Sequence, residues 1–321
     1  MSLKRKAGSN LTANSSQKKP KNDFFTPKSS TAVGSSSTPQ FAFDRREAGT
    51  VRLSTWNVNG IKSVNGKTLR KYLEAEDPDI LLTETKVAQG KADIMSLKTR
   101  FKQCVSSIGS WWLTIAGTAV LSKHKPFNVV VGLPTWPDSI EDTQGRYVQM
   151  EFENLYLVGT YVPNSGENFK SIDIKQKWNA AFSEHLHGLN AIKPVIWAGD
   201  FNCIPTKKDL DNKAQAFWDK MSGLSATERR EFEGIINPGE QDSKRGKFVD
   251  IWRHLHPDAE EFTCVRRLCQ TVTKFGAWRL DSFILSERIL GNAKKCEIRH
   301  ELKDLKLSDH WPVTLDILGL F

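Results

Sequence analysis

Short apolar runs and stretches of helical spacing alternate along the chain from about residue 50 onward. The runs predict strands at 51–58, 79–83, 118–121, 195–201, 280–285 and 311–315, together with a hairpin of strands at 146–153 and 155–161. The helical stretches lie near 68–75, over 169–189, and from a Ser225/Glu228 capping box to residue 236. Strands that alternate with helices, with a hairpin inserted, predict α/β layers around mixed sheets rather than a purely parallel barrel.

Polar side chains stand at the ends of five of these apolar runs. They are Asn57 and Asn59 in W-N-V-N-G, Glu84 in L-L-T-E-T-K, Asp200 and Asn202 in W-A-G-D-F-N, Asp281 in W-R-L-D-S, and Asp309 and His310 in L-S-D-H-W-P. A sheet that gathers these ends would form a pocket of carboxylates, amides and one imidazole. Such a set of groups suits a hard divalent cation and the hydrolysis of a phosphodiester.

The spacing of Asp200 and Asn202 adds to this chemistry. Residues at i and i+2 share one face of an extended segment, so the carboxylate can accept a proton from water while the amide orients a phosphoryl group. An Asx-turn that ends a strand is the structural alternative, and it applies equally to Asn57 and Asn59, because Asn before Gly favours a turn. For Glu84 the alternative is simple surface exposure.

Asp309 and His310 form the most specific pair. A catalytic imidazole needs a carboxylate that fixes its tautomer and stabilises its positive form, and Asp281 could supply that carboxylate from a neighbouring strand. A single histidine is more often a packed or surface residue. His310 is a stronger candidate because it is one of several polar residues at predicted strand ends.

Composition divides the chain near residue 48. The chain has 321 residues and 39% hydrophobic content, which is enough for one large domain over 49–321. Residues 1–48 are rich in Ser, Thr, Lys, Asn and Pro, and this composition predicts a disordered tail. Nine Lys/Arg and two Asp in 1–46 account for +7 of the net charge of +9. The domain is therefore nearly neutral, and any phosphate-binding face must be a local patch.

Short motifs in the tail suggest a location and a partner. Lys4-Arg5-Lys6 and Lys18-Lys19-Pro20-Lys21 resemble nuclear-import sequences and predict a nuclear protein, with a random basic tail as the alternative. Phe24-Phe25 resembles the aromatic end of a sliding-clamp binding peptide. We expect the protein to be a monomer.

The five cysteines are scattered and form no C-x-x-C pair; they are Cys104, Cys203, Cys264, Cys269 and Cys296. Their odd number and the lack of an apolar leader predict reduced thiols in an intracellular compartment. No stretch approaches the ~18 apolar residues of a membrane span, so no membrane association is expected.

Seven motifs in order carry a family resemblance. They are W-N-V-N-G, L-T-E-T-K, Y-V-P-N-S-G, G-D-F-N, G-L-S-A-T-E-R, W-R-L-D and S-D-H-W-P-V. Together they resemble the exonuclease III-type apurinic/apyrimidinic (AP) endonucleases over about residues 50–318. The resemblance implies a DNase I-like four-layer α/β sandwich of two packed mixed sheets. It also implies a base-excision-repair enzyme that cuts double-stranded DNA 5′ to an abasic site, leaves a 3′-hydroxyl, and processes blocked 3′ ends or digests 3′ to 5′.

The resemblance also assigns roles to the matching residues. It implies that Glu84 is the principal ligand of Mg²⁺, with Mn²⁺ as a substitute, and that Asn59 and Asp309 lie beside it. Asp200 would align or deprotonate the attacking water, and His310, oriented by Asp281, would stabilise the transition-state charge. The remaining matches would contact the phosphate or the water, or support the Glu84 side; they are Tyr161, Asn57, Asn164 and Asn202.

Other positions are expected to contact DNA around this centre. The abasic sugar would enter a pocket of Cys264, Trp278 and Leu280, as the resemblance implies. Phosphate or DNA contacts are expected from Lys62, Lys86, Asn212 and the Arg266-Arg267 pair.

The chain also departs from the family pattern in the segments that grip DNA. Residues 114–118 lack the aromatic G-Y-S-G-V segment, Glu167 stands where some members place an arginine, and Cys264 stands where an aromatic side chain is common. We therefore expect that abasic cleavage is retained with weaker substrate grip and that 3′-end processing is relatively prominent.

Two other functions stay open on the sequence. One is a related nicking endonuclease of the retroelement type or another phosphodiesterase, against which W-R-L-D and Y-V-P-N-S-G argue. The other is a non-catalytic DNA-binding or scaffold protein, against which the complete set of polar groups argues.

Overall fold

The structure is a computed structural model. Two six-stranded mixed sheets form its centre. The structure describes residues 41–60, 66–84, 101, 103–106, 117–137, 145–239, 245–269, 272–305, 307–319 and 321. All of them belong to one compact unit, Gln40–Phe321. No helix among these residues is both long enough and apolar enough to cross a membrane.

The strands and helices have the following bounds. The strands are β1 Thr50–Trp56, β2 Ile80–Glu84, β3 Gln103–Ser106, β4 Thr118–Ser122, β5 Asn128–Val131, β6 Tyr147–Glu151, β7 Tyr156–Tyr161, β8 Val195–Asp200, β9 Phe248–Asp250, β10 Cys264–Cys269, β11 Val272–Trp278, β12 Asp281–Ser286, β13 Ala293–Ile298 and β14 Val313–Leu318. The helices are α1 Gly66–Glu76, α2 Ile172–Ile192, α3 Ala226–Ile236 and α4 Ile251–Leu255.

Each large sheet has one parallel pair near its centre. The first sheet has the order β13-β14-β1-β2-β4-β3, and only β1 and β2 run parallel in it. The second has the order β5-β6-β7-β8-β12-β9, and only β7 and β8 run parallel in it. Strands β10 and β11 form a separate antiparallel hairpin.

The two sheets bury their facing surfaces in one hydrophobic core. Leu53 and Leu82 of the first sheet share a cluster with Ile196 and Phe283 of the second, and all four are almost fully buried. Gly159 in β7 lies tightly against the first sheet, because a Cβ there would lie 2.8 Å from Leu82 Cδ2. The absence of a side chain at that position lets the sheets pack tightly.

Helices cover the outer faces. Tyr72 of α1 packs on the first sheet, where its hydroxyl bonds Ser54 Oγ at 2.7 Å. The second sheet is covered by α2 and α3. Trp178 and Phe182 of α2 stack with centroids 4.8 Å apart and pack on Trp197 of β8. Sheets and helices together make the four-layer α/β sandwich that the resemblance implied, so the predicted fold class is confirmed.

The long apolar strands were predicted well, and the polar or very short ones were missed. The predicted helix over 169–189 corresponds to α2, and the Ser225/Glu228 capping box begins α3 with both of its hydrogen bonds formed. The strands without a prediction are β3, β5, β9, β13 and the β10–β11 hairpin. Three of them, β3, β5 and β9, have only three or four residues, and β10 and β13 are interrupted by two adjacent charged residues, so no long apolar run marks them.

The segment 41–47, which composition assigned to the tail, contacts the domain. Phe43 stacks on Phe41 and meets Tyr72 edge-on, and both phenylalanines pack against the first core. Arg46 pairs with Asp79, and Asp44 pairs with Lys295 at 2.7 Å. Two aromatic rings can anchor a short polar segment because each buries a large apolar area. Residues 1–40 lie outside the described residues, so the predicted tail there stays a prediction.

The pairing brings many strand ends to one edge of the sandwich. The parallel pairs β1–β2 and β7–β8 point their carboxyl ends the same way within each sheet. Because β14 and β12 run antiparallel to β1 and β8, they begin at that same edge. All five polar clusters of the sequence therefore border one edge.

Gly199 is the glycine on which this edge depends most. Its φ is 136°, and a Cβ there would lie 1.9 Å from the backbone oxygen of Thr160, its partner across β7 and β8. The clash cannot be relieved without separating the parallel pair. We expect Gly199→Ala to lower the free energy of unfolding by about 3 kcal/mol, measured by urea denaturation.

Gly188→Ala is the matched control for this substitution. Gly188 lies within α2, and nothing lies within 4 Å of the Cβ that alanine would place there. Alanine at this position should be neutral or stabilise the protein by up to about 1 kcal/mol. Equal stability of the two variants would contradict the role given to Gly199.

Candidate active site

Three neighbouring strands of the second sheet align three of the predicted residues. Asp200, the last residue of β8, pairs with Tyr161 at the end of β7 and with Asp281 at the start of β12. Asp200 and Asp281 are 5% and 1% exposed. Two carboxylates are thus held side by side in a buried position, where ionising both is unfavourable unless a cation lies close.

His310 supplies a cation beside them. Its Nδ1 lies 2.7 Å from Asp281 Oδ2, and the same oxygen accepts a 2.7 Å hydrogen bond from Thr263 Oγ1. Burial by itself would lower the pKa of His310, but the charge and hydrogen bond of Asp281 outweigh it and raise the pKa to about 9. The imidazole is therefore protonated at neutral pH, and Nε2 is the ring nitrogen left to meet a phosphate oxygen.

Asp200 is held by groups from both sheets. Asn57 Nδ2, which follows β1, donates to Asp200 Oδ2 at 3.1 Å, and the backbone N–H of Asn202 donates to Oδ1 at 2.9 Å. Burial and the nearby Asp281 raise the pKa of Asp200, although His310, the Asn202 N–H and Arg266 oppose the rise. A carboxylate with a raised pKa is suited to accept a proton from water.

Asn57 has a partner that the sequence did not indicate. Its amide group bridges the two sheets through Asp200 and accepts a 2.9 Å hydrogen bond from the N–H of Asn59. The reason is geometric, since the chain leaving β1 turns toward the end of β8. Asn59 has φ 50°, so the turn alternative for this pair is also fulfilled. The predicted support of Glu84 by Asn57 stays a prediction, because the side chain of Glu84 lies outside the described residues.

The predicted metal ligands Asn59 and Asp309 lie together. Asn59 Nδ2 contacts Asp309 Oδ1 at 3.3 Å, and Ser308 Oγ fixes this loop by bonding the backbone oxygen of Asn57 at 2.7 Å. The backbone of Glu84 ends β2 at the same edge, opposite Thr118. The side chain of Glu84 lies outside the described residues, as do Lys62 and Lys86, so their predicted roles stay predictions.

Two groups of side chains could bind a cation. Asp200, Asp281 and His310 present ligand atoms within 4.8 Å of one another. However, His310 already donates to Asp281 and is protonated, which opposes metal binding through its nitrogen. Asn59 and Asp309 present oxygen atoms, the donors that hard divalent cations prefer. The acidic edge fits a metal site, and Asn59 and Asp309 fit it better than the imidazole.

Asn164 and Asn202 are joined in one hydrogen-bonded network. Asn164 Nδ2 donates to Asn202 Oδ1 at 2.8 Å, and Asn202 Nδ2 donates to the backbone oxygen of Val162 at 3.0 Å. Asn164 Oδ1 accepts from Ser222 Oγ at 2.7 Å. Asn202 is only 2% exposed, and it contacts Asn164 and Val162 through its side chain and Asp200 through its backbone N–H.

A buried ion pair supports this network from behind. Lys175 of α2 donates to the backbone oxygen of Asn202 at 2.6 Å and pairs with Glu228 of α3 at 3.0 Å, and both side chains are at most 1% exposed. Burial alone would raise the pKa of Glu228, but Lys175 and Ser225 lower it overall. The capping box that the sequence revealed therefore also anchors the Asn202 loop.

Arg146 and Arg279 make contacts near the site that sequence reasoning did not predict. Arg146 lies over the Tyr161 ring, with its guanidinium carbon 5.1 Å from the ring centroid, and so fixes the phenol at the edge. Arg279 is buried and binds Asp209 at 2.6 Å and Asp250 at 2.8 Å. Arg279 lies inside W-R-L-D, so its motif was visible but its acidic partners were not. Thr263, the partner of Asp281, had no signal in the sequence.

The residues predicted to form the sugar pocket come together, but they are buried. Cys264, Trp278 and Leu280 belong to one apolar cluster and are at most 2% exposed. Arg266 covers this cluster, with its guanidinium carbon 5.3 Å from the centroid of Trp278. Asn212 is exposed in the loop that follows Leu210, whose backbone bridges to Trp278. These side chains border the edge beside His310, because Cys264 also bridges to His310.

This arrangement has the parts that phosphodiester hydrolysis needs. A carboxylate that can take a proton (Asp200) lies near a cationic imidazole (His310), and a phenol and an amide flank them (Tyr161 and Asn164). Cationic groups aimed at developing phosphate charge lower the barrier, and a carboxylate can activate water.

Comparisons with known proteins agree with this chemistry. A model of the Endonuclease/Exonuclease/phosphatase family matches residues 54–310. A DNA-(apurinic or apyrimidinic site) endonuclease of Dictyostelium discoideum is 32% identical over 273 residues, which cover 83% of this chain and 70% of the relative. An exodeoxyribonuclease of Bacillus subtilis (strain 168) is also 32% identical over 273 residues, covering 83% and 99%. The structure of an AP endonuclease from Archaeoglobus fulgidus shares the fold, with a TM-score of 0.68 at 23% identity over 83% of this chain and 99% of that one.

The charge of His310 should depend on its pairing with Asp281. Burial lowers the pKa of His310, but the charge and hydrogen bond of Asp281, together with the charges of Asp200 and Asp309, raise it to about 9. Asp281→Asn removes the strongest of these favourable interactions, so the His310 pKa should fall well below 9. The imidazole would then lose its charge at a lower pH than in the wild type. An NMR titration of the histidine ring signals in metal-free protein measures this, with His310→Asn identifying the signal.

Thr263→Val is the control for this titration. It removes the other hydrogen bond to Asp281 Oδ2 but leaves the carboxylate beside the imidazole. The His310 pKa should therefore stay well above 6.5. A His310 pKa that is equal in the wild type and in Asp281→Asn would refute the pairing.

Proposed function

Because the chain belongs to the endonuclease/exonuclease/phosphatase family, and within it to the AP endonucleases and exodeoxyribonucleases, we propose that it is a base-excision-repair nuclease. It hydrolyses the phosphodiester 5′ to an abasic site in double-stranded DNA and leaves a 3′-hydroxyl. It also removes blocking groups from 3′ ends and digests DNA in the 3′ to 5′ direction. The observation that carries the proposal is the buried Asp200–Asp281–His310 group at the shared sheet edge.

The residues of the edge divide the reaction between them. Asp200 accepts the proton of the attacking water, which its raised pKa favours. His310, kept positive by Asp281, donates to a phosphate oxygen as charge develops there. Tyr161 and Asn164 orient the phosphate, while Asn57 and Asn202 hold Asp200 in place.

A divalent cation completes the site in this proposal. Asn59 and Asp309 would hold it together with Glu84, and Mg²⁺ is the natural choice for such oxygen donors, with Mn²⁺ as a substitute. When bound, the cation supplies positive charge for the scissile phosphate.

Location and partners follow from the tail and from the relatives. We propose a nuclear location on the basis of the two basic clusters in residues 4–21, and we keep the monomer as an expectation. The proposed DNA substrate agrees with the names of the relatives in Dictyostelium and Bacillus. A sliding clamp that binds Phe24-Phe25 is proposed from the sequence motif alone.

A metal-dependent nicking assay tests the proposal. The full chain should incise a duplex with one abasic site in the presence of Mg²⁺, and excess EDTA should abolish incision. Glu84→Ala and His310→Asn should each lower kcat by about a thousandfold or more, because each removes charge stabilisation of the transition state. Thermal melting checks that the variants remain folded.

Glu153→Ala serves as the control for Glu84→Ala. Glu153 is exposed in the turn between β6 and β7, at the opposite edge of the second sheet from the site. Its removal should leave the incision rate within about twofold of wild type, since surface charges that are far from the site interact weakly. Incision in the presence of excess EDTA would refute the proposal.

A separate prediction concerns the relative activity on 3′-blocked ends and on internal abasic sites. Glu167 is exposed, so its carboxylate is placed to repel a phosphate backbone and weaken the grip on abasic DNA. We expect kcat/KM on a 3′-blocked nick to equal or exceed that on an internal abasic site. Steady-state kinetics on both duplexes measures this ratio, and tight abasic binding with negligible 3′ activity would overturn the expectation.

A further inference from the structure

Asn202 adopts an uncommon backbone conformation at the centre of the site. Its φ is 46°, in the left-handed region that residues other than glycine seldom adopt. Its N–H binds Asp200 and its side-chain oxygen accepts from Asn164, so this one residue links the proposed proton acceptor to a proposed phosphate ligand. A left-handed conformation costs free energy and persists where surrounding contacts hold it.

Lys175 of α2 supplies a contact that holds this turn. Its Nζ donates to the backbone oxygen of Asn202 at 2.6 Å and pairs with Glu228 Oε1 at 3.0 Å. Glu228 Oε2 in turn accepts from the backbone N–H of Gly223 at 2.9 Å. Gly223 lies against the same oxygen of Asn202, because a Cβ there would be 3.2 Å from it. The carbonyl group of Asn202 is therefore held from two sides, by α2 and by the loop that Glu228 binds.

The buried ion pair is not explained by stability alone. Lys175 and Glu228 are 1% and 0% exposed, so both charges lie away from water. Uncharged residues of similar volume often replace such a pair without loss of stability, whereas removal of one partner leaves an unpaired buried charge and is strongly destabilising. An uncharged pair would not reproduce the hydrogen bond from Lys175 to the Asn202 turn.

We propose that Lys175 is a positioning residue for the hydrolysis, and that it acts through the left-handed turn at Asn202 to fix Asp200 and Asn164. Glu228 balances the buried charge of Lys175 and holds Gly223 under the same turn. The inference rests on the proposed function, in which Asp200 accepts a proton from water and Asn164 orients the phosphate. Because Lys175 is buried behind Asn202, its effect on the reaction is one of geometry. Small displacements of reacting groups slow the chemical step strongly.

A neutral pair of residues separates positioning from stability. Lys175→Met leaves Glu228 as an unpaired buried charge and should lower Tm markedly, whereas Lys175→Met/Glu228→Gln removes both charges and should melt close to wild type. Glutamine keeps a side-chain oxygen for the N–H of Gly223. The double variant should still lose about tenfold to a hundredfold in kcat on a duplex with one abasic site, with KM within about threefold of wild type.

Lys175→Arg is the conservative variant that should rescue the activity. Arginine keeps a positive charge for Glu228 and has donors for the oxygen of Asn202. Its kcat should therefore recover most of what the double variant loses. A wild-type kcat in the double variant would refute the inference. A double variant that loses kcat and Tm together, as Lys175→Met does, would show a merely structural role and refute it equally.

Glu231→Gln is the matched control at the same helix interface. Glu231 of α3 accepts from Gln176 Nε2 at 2.7 Å and from Asn179 Nδ2 at 2.8 Å, both on α2. Among the described residues its carboxylate has no hydrogen bond to the loops of Asn202 or Gly223. This variant weakens the contact between the two helices, but kcat should stay within about twofold of wild type. A loss of kcat as large as in the double variant would contradict the specific role of Lys175.

An NMR measurement on the metal-free full chain keeps the inference separate from the proposed function. The Nζ group of Lys175 should give a side-chain ammonium signal that is protected from exchange with water, and Lys175→Arg should remove that signal. The side-chain amide signals of Asn164 and Asn202 should shift in the double variant.

These signals decide the inference whether or not the chain hydrolyses DNA. Absence of a protected lysine signal in the wild type would overturn the inference in a fully active enzyme, and it requires no variant to fold. Unchanged amide signals in a folded double variant would also overturn it. Absence of all hydrolysis would overturn the proposed function, while the ammonium signal would still show whether Lys175 holds Asn202.

Discussion

The site depends on one constraint, the face-to-face packing of two sheets whose parallel pairs end at the same edge. The Asn57–Asp200 hydrogen bond of 3.1 Å links the end of β1 in one sheet to the end of β8 in the other. Close approach is possible because Gly159 leaves space for Leu82, and Gly199 lets β8 lie against the Thr160 backbone. Without this packing, each polar strand end would be a separate solvated turn, and no group of carboxylates and imidazole would exist.

Burial at that edge controls the charges of the site. Asp200 lies buried beside Asp281, where desolvation and the neighbouring carboxylate raise its pKa, and the cationic His310 opposes that rise. In this buried cluster, the carboxylate of Asp200 and the imidazole of His310 have opposite roles. The pKa of Asp200 is raised, which suits a proton acceptor, while His310 has a pKa of about 9 and stays positive at neutral pH. One desolvated cluster thus contains both a base and a cation.

Positive charge near the site is supplied locally rather than by the domain as a whole. Most of the net charge of +9 belongs to the first 46 residues, so the domain cannot attract DNA through its overall charge. Arg146 over Tyr161 and Arg266 over Trp278 place guanidinium groups on aromatic rings on either side of the acidic pair. Rings fix the direction of these cations without neutralising them, which suits recognition of phosphate by position more than by bulk attraction.

The sequence by itself determined the α/β class, the long apolar strands, the α3 cap and nearly all of the polar strand ends. Each of these features depends on local periodicity or on a short motif. It also indicated that Asp281 orients His310, and the 2.7 Å contact between them agrees with that role. Only the tertiary structure decided that Asn57 serves Asp200, that Thr263 shares Asp281, and that Arg279 is held by Asp209 and Asp250. Thr263 and Asp281 are 18 positions apart in the chain, and Asn57 and Asp200 are 143 positions apart. Local pattern carries no information on such partners, since they are set by sheet register and by the packing of one sheet on the other.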